Sequence, residues 1–251
     1  SSTMQATTEY LEMPYGARIA YRRLAGSTPG VVFLSGFMSD MQGEKATAVE
    51  HWCQQHGRAC VRFDYQGHGK SSGSMIDGCI SSWTEDALAI IDRLTQGPQI
   101  LIGSSMGGWI AMLAARARPQ RVAGLIGIAA AADFTVRRWH SLCENDKETI
   151  LREGHVQVPS AYDMEPYILT RKLFEDGANN RVLTRPYHHD FPICLIHGTA
   201  DPDVPADTAT QIAGCLTGKD VEVIMVPGGD HRLSEPEDLK RLMEVISTLI
   251  H

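Results

Sequence analysis

Leu101-Ile102-Gly103-Ser104-Ser105-Met106-Gly107-Gly108-Trp109 joins an apolar run to a helix-like one, with two adjacent serines held between glycines. Gly103, Ser105 and Gly107 fit the pattern G-x-S-x-G. The flanks supply the context the pattern needs, a strand over 99–103 before it and an Ala- and Leu-rich helix over 105–116 after it. A strand that turns into a helix this sharply strains the central residue and lifts its side chain above the sheet, and small residues on either side permit the turn. The spacing makes Ser105 the central residue. Ser104 falls in the variable position and is expected to point aside. A plain Gly/Ser turn closing a strand fits the pattern taken alone.

Outward from this turn, strand-like and helix-like stretches alternate. Residues 8–13 and 17–23 read as an opening hairpin around Pro14-Tyr15-Gly16. Strands are expected at 30–34, 59–64, 122–129, 193–197 and 221–226, and helices at 44–55, 83–94, 206–216 and 236–250. In the helix at 83–94, Ala87, Leu88, Ile90, Ile91 and Leu94 fall on the buried side. Strand–helix alternation after a hairpin predicts an α/β fold, a mostly parallel sheet of eight strands covered by helices on both faces.

One stretch breaks the rhythm. Between about Ala132 and Asp190 no strand of the main sheet is expected, and helix signals take over: Asn145 to Glu148 reads as a capping box, Gly154 as a stop, and 166–174 as amphipathic up to Gly177. An insertion of this size between sheet strands reads as a lid. The predicted organisation is a core of 1–131 and 191–251 with a helical cap insertion at 132–190.

Composition narrows the partners. Apolar residues make up 43% of the 251, charged residues 21%, and 23 Lys and Arg face 30 Asp and Glu, giving a net charge of −7. No basic block offers a footprint for nucleic acid, and none suits a membrane surface. The longest apolar run, 122–132, is shorter than the about 20 residues that span a bilayer, so no stable membrane insertion is expected. No signal peptide is recognised, Met4 is expected to be the native start, and the cytoplasm is the expected compartment. Cys53, Cys60, Cys79, Cys143, Cys194 and Cys215 show no metal-ligand spacing and read as free thiols of a reducing compartment.

A serine hydroxyl needs a base to take its proton and a carboxylate to orient that base. His197-Gly198-Thr199-Ala200-Asp201-Pro202-Asp203-Val204-Pro205 follows one late strand and Gly228-Gly229-Asp230-His231 follows the last, so both loops meet Ser105 at one sheet edge. Asp203 competes with Asp201 for the acid, and Asp230 is a weaker rival. His68 is expected to face solvent or bond within its loop, His197 to be a packed residue, and the pair His188-His189 to point apart, so no metal is expected.

These pieces resemble the α/β-hydrolase superfamily along nearly the whole chain. The loop from His197 to Pro205 resembles its H-G-x-x-D-x-x-V-P element, which implies Asp201 as the acid. The Gly228–His231 loop resembles its terminal histidine loop, which implies His231 as the base. The loop Phe63 to Gly73 resembles that following the fourth strand. The stretches 97–109, 118–134 and 59–71 resemble more closely the ABHD10 branch, which is associated with acyl-thioesterase and acyl-glucuronide esterase activity. That resemblance implies a serine hydrolase of carboxylic esters or thioesters that uses no cofactor and acts on a small or acylated substrate. Its oxyanion hole would use the backbone N–H groups of Met106 and Phe37. Relatives carry His-Gly where this chain has Ser35-Gly36, which changes a side chain and not the Phe37 donor. Met38, Tyr162 and Ile168 are expected to line the acyl pocket, with Val156, Val158, Tyr167 and Leu169 as further candidates. Other chemistry of the same fold, such as C–C bond hydrolysis, or a non-catalytic binding module, stays open at this point.

Overall fold

The structure is a computed structural model, and it describes residues 7–160 and 165–250. It opens with an antiparallel hairpin of β1 (Glu9–Glu12) and β2 (Arg18–Leu24) around Pro14-Tyr15-Gly16. Then follow β3 (Ser27–Leu34), α1 (Glu44–Gln55), β4 (Arg58–Phe63), α2 (Ile80–Leu94), β5 (Gln99–Ser104), α3 (Met106–Ala117) and β6 (Val122–Ile128). The chain leaves the sheet for α4 (Phe134–Ser141), α5 (Glu144–Glu153), β7 (His155–Val158), β8 (Tyr167–Thr170) and α6 (Arg171–Ala178). It returns with β9 (Ile193–Gly198), α7 (Asp207–Cys215), β10 (Val221–Val226) and α8 (Pro236–Leu249).

The main sheet has eight strands in the order β1-β2-β4-β3-β5-β6-β9-β10. β2 runs antiparallel to β4, and from β4 to β10 every neighbouring pair is parallel. Alternate residues feed two cores. Val31, Phe33, Ile100 and Ile102 meet Val49 of α1 and Leu242 and Ile246 of α8 on one face. Val32, Leu34 and Leu101 meet Ile90 of α2 and Trp109 of α3 on the other. Each such side chain contributes about 1.5–3 kcal/mol by leaving water. A one-residue slip of any central strand would exchange the two sets, which fixes the register. The order reverses around β3 and β5, and in open α/β sheets the crevice beyond the strand ends at such a reversal is where ligands bind.

The segment between β6 and β9 departs from the sequence reading in two places. It is not purely helical, because β7 and β8 pair as an antiparallel hairpin. The amphipathic stretch 166–174 divides into β8 and the start of α6, whose cap Thr170 accepts a hydrogen bond from Leu173 N–H at 2.9 Å. Pairing with β7, a tertiary partner, overrides local helix propensity here. The capping box at Asn145 does not form either. α5 already begins at Glu144, with Cys143 at its cap, so Asn145 lies within the first turn. Gly154 does stop the helix, in the left-handed conformation at φ 91°. Asp133 braces the segment: its carboxylate accepts from Val182 N–H at 2.8 Å and Leu183 N–H at 3.0 Å and pairs with Arg181.

Candidate active site

Ser105 stands between β5 and α3 with φ 55° and ψ −120°, a conformation that costs a non-glycine residue on the order of 1–3 kcal/mol. The surroundings hold it there. Its N–H donates to the Ile128 carbonyl at 2.9 Å, and its own carbonyl accepts from Ala131 N–H at 3.0 Å and Gly108 N–H at 2.9 Å. Gly103 and Gly107 are required by space. A Cβ on Gly107 would drive into the Leu34 carbonyl, and one on Gly103 into the Gly107 backbone. Met38, Ala129, Asp133 and Leu233 also take positive φ, and each lines the cavity above Ser105 or lies within two residues of one that does. Five of the six such non-glycine residues among those described thus gather around this one place, the sixth being Tyr15 of the opening hairpin.

His231 joins Ser105 to Asp201. Its Nε2 lies 3.0 Å from Ser105 Oγ, and its Nδ1 lies 2.8 Å from Asp201 Oδ2. A proton on Nδ1, donated to the carboxylate, leaves Nε2 free to accept from the serine hydroxyl. The Asp201 side chain is fully buried, and its Oδ1 accepts from the N–H groups of Asp203 at 2.8 Å and Val204 at 2.9 Å. Burial alone would push its carboxyl up. Hydrogen bonds from His197 and His231 and from Val204 N–H outweigh that and hold it below the usual carboxylate range. His197 is buried and its Nε2 lies 2.9 Å from the Val204 carbonyl, so it packs the acid loop. Asp230 accepts from Leu233 N–H at 2.9 Å within its own loop. Asp203 is exposed and presents its N–H, not its carboxylate, to the buried acid.

The loop after β3 brings Phe37 to the same place. A Cβ on Gly36 would touch Ser105 Cβ at 3.4 Å, so the loop passes directly beside the serine. Ser35 is buried, its hydroxyl donating to the Asp40 carbonyl at 3.1 Å and its carbonyl accepting from Tyr65 Oη at 2.9 Å. Met106 is the first residue of α3, where a helix leaves its N–H without an internal acceptor.

A cavity of about 780 Å³ opens over this group. Phe37, Met38, Phe134, Tyr167 and Leu169 give it an apolar wall, with the Phe37 ring 5.9 Å from Phe134 and 5.7 Å from Tyr167. Met38, expected from sequence to line an acyl pocket, borders this cavity. Ile168 does not. Residues of a strand alternate in direction, and Tyr167 and Leu169 face the cavity while Ile168 pairs with Gln157 on the opposite face. Val156 and Val158 pack behind the wall in the core. Tyr162 lies outside the described residues. Phe134, Arg137 and Arg138 of α4 line the cavity and were not singled out from sequence.

Among the described residues the one group with metal-ligand spacing is Asp201, Asp203 and His231, and both nitrogens of His231 are already engaged by Ser105 and Asp201. His188 and His189 point apart: the first is exposed against Asp190, and the second is buried with its Nδ1 2.7 Å from the Phe191 carbonyl.

Of the two expectations for His68, the structure shows the second: it is buried, and its Nδ1 lies 3.1 Å from the Gln66 carbonyl of its own loop. Its ring packs edge-on against Trp83 at 5.1 Å. Burial pushes its pKa down from 6.5 to about 4. Between those values an unfolded chain takes up a proton that the folded one refuses, so folded stability falls as pH drops, by about 1.4 kcal/mol per pH unit. His68→Phe removes that contribution. In urea melts across this window its stability relative to the wild type should rise as pH is lowered, and parallel curves would show that His68 is not held neutral.

The sheet order and the serine at the β5–α3 turn are those of the α/β-hydrolases. The family model described as Serine aminopeptidase, S33 matches residues 29–173. Palmitoyl-protein thioesterase ABHD10, mitochondrial, of Rattus norvegicus is 39% identical over 100% of this chain and 85% of its own length. The Homo sapiens protein of the same name is 38% identical over 98% of this chain and 81% of its own. The structure of alpha/beta hydrolase domain-containing protein 10 from mouse superposes with a TM-score of 0.91 at 39% identity, covering 98% of each chain. The chain belongs to the ABHD10 family of α/β-hydrolases, and it is a hydrolase. No helix among the described residues is long and apolar enough to cross a membrane.

Proposed function

We propose that this chain hydrolyses carboxylic thioesters and esters, palmitoyl-type acyl groups among them, through an acyl-enzyme on Ser105. The observation that carries the reading is the hydrogen-bonded chain from Ser105 Oγ through His231 to buried Asp201 beneath a half-apolar cavity. In this reading His231 Nε2 takes the serine proton as Oγ attacks the acyl carbonyl. The N–H groups of Phe37 and Met106 bind the oxygen that becomes negative. Asp201 stabilises the charged imidazole. The departing alcohol or thiol then takes the proton from His231, and a water activated by the same nitrogen releases the acid and restores Ser105. Every atom balances with substrate and water alone.

The apolar wall of Phe37, Phe134, Tyr167 and Leu169 suits an alkyl chain, and the rat and human relatives are named for a palmitoyl substrate. Residues 1–131 and 191–251 form the hydrolase core in this reading, and 132–190 form the cap that supplies Phe134, Tyr167 and Leu169. The partner is a small or protein-borne acyl compound, with no role for nucleic acid. Six free cysteines support a reducing compartment. The cytoplasm expected from sequence and the mitochondrion named for the relatives both satisfy that.

The test is a kcat/KM profile of thioesters, oxygen esters, aryl amides and dienedione-type ketones, with acyl chains from acetyl to palmitoyl. Thioesters and esters should dominate. Turnover confined to amides would favour the peptidase chemistry in the matched family description, and turnover confined to ketones would favour C–C bond cleavage.

A further inference from the structure

The cavity has a second wall that the acyl chain does not explain. Arg137 and Arg138 line it, one turn along α4 from Phe134. Neither guanidinium makes a hydrogen bond or ion pair with another described residue. The other arginines at insertion and sheet surfaces mostly do, as in Arg118 with Asp92 and Arg171 with Glu175. Arg137 is half-buried, and burial lowers its pKa, although a guanidinium starts high enough to stay charged. It feels the charges of Asp201, Asp203 and Asp207, but none reaches ion-pair distance. Asp203 and Asp207 are exposed, where solvent and salt screen them. Asp201 is already engaged by two histidines and two N–H groups. A half-buried cation without a partner is costly unless a ligand supplies the counter-charge. The scaffold also holds it in place, because Asp133 at the start of α4 is pinned by Val182, Leu183 and Arg181.

The direction follows from the chemistry. The departing group must receive its proton from His231 and therefore lies on the His231–Asp201 side. Arg137 lines the same cavity as His231 and Asp203, and the charges of Asp201, Asp203 and Asp207 act on it, so it serves that side. We infer that Arg137, with Arg138 beside it, is a specificity-determining residue that pairs with an anionic group, a carboxylate or a phosphate, carried by the departing alcohol or thiol. This rests on the acyl-enzyme reading above. Guanidinium suits both anions because its fork can meet two oxygens at once.

The test uses the full chain and three octanoyl thioesters that share one acyl group. Their thiols are 2-mercaptoethanol, 3-mercaptopropionate and 2-mercaptoethyl phosphate. The wild type should favour the anionic thioesters over the neutral one by about tenfold in kcat/KM, the size of one charge-assisted hydrogen bond. The better of the two anionic substrates identifies the group the subsite reads. In Arg137→Gln the ratio should fall toward one, and Arg137→Lys should restore part of it. Should Arg137→Gln fail to fold, Arg137→Lys and inhibition of the wild type carry the test: free 2-mercaptoethyl phosphate should compete with the neutral substrate. A wild-type ratio near one, an unchanged ratio in Arg137→Gln, or no competition by the phosphate would each overturn the inference while Ser105-dependent turnover stands. Absence of turnover on all three thioesters would overturn the acyl-enzyme reading and this inference together.

Discussion

Ser105→Ala should lose at least about four orders of magnitude in kcat, while Ser104→Ala keeps most of the activity. The two serines are neighbours in sequence and border the same cavity, so this pair tests register and not location. Only Ser105 takes the strained conformation, and its Oγ is the one 3.0 Å from His231 Nε2. Ser104 is the last residue of β5 and pairs with Ile128 in the sheet. Activated serine should also be seen directly. A fluorophosphonate probe should label the wild type on Ser105 and still label Ser104→Ala, but leave Ser105→Ala unmodified. Equal losses in the two variants would mean that the wrong serine has been assigned.

Asp201→Asn should cost about three to four orders of magnitude in kcat, and Asp203→Asn less than tenfold. The reason lies in the acceptors and donors around the side chain. Oδ1 accepts two backbone N–H groups, so an amide at 201 must keep its oxygen there. Its NH2 then faces His231 Nδ1, which now has to accept. The ring proton moves to Nε2, the nitrogen that should receive the proton of Ser105, and the base is lost with the geometry intact. Asp203 contributes a backbone N–H that substitution leaves in place. Steady-state kinetics at neutral pH separates the two cases, and equal losses would return the acid role to dispute.

The core of this structure is legible because its signals are local. Helix α1 and strand β10 fall where periodicity puts them, and Ser105, Asp201 and His231 each follow a strand, so one sheet edge collects all three. The segment between β6 and β9 is not legible in the same way. The apolar residues of 166–174 satisfy a helical face and a strand face equally well, and only β7, twelve residues earlier at its start, settles it. Missing that pairing also misplaced Ile168, since strand parity sends Tyr167 and Leu169 one way and Ile168 the other. His68 sits between glycines in a loop whose reading left it open between facing solvent and bonding within the loop; it does the latter, and its burial against Trp83 depends on a helix from later in the chain. Arg137 and Arg138 carry no signature at all. The role proposed for them rests on the absence of a partner among the described residues, which only three dimensions reveal.

β6 and β9 lie side by side and in parallel, so the segment between them departs from the C-terminal edge of the sheet after Ile128 and returns at the opposite edge, where Ile193 lies beside Leu125. Ala129 N–H, immediately after β6, bonds to the carbonyl of Ile196 in β9 and carries the pairing of the two strands one residue further. A crossover whose two ends are fixed in neighbouring strands can lengthen, shorten or be traded for another with no strand moving. In the proposed reading, selectivity and chemistry are therefore separable inheritances in this architecture. A chimera that grafts another relative's stretch between the same two strands would be expected to exchange what is cleaved while keeping how it is cleaved.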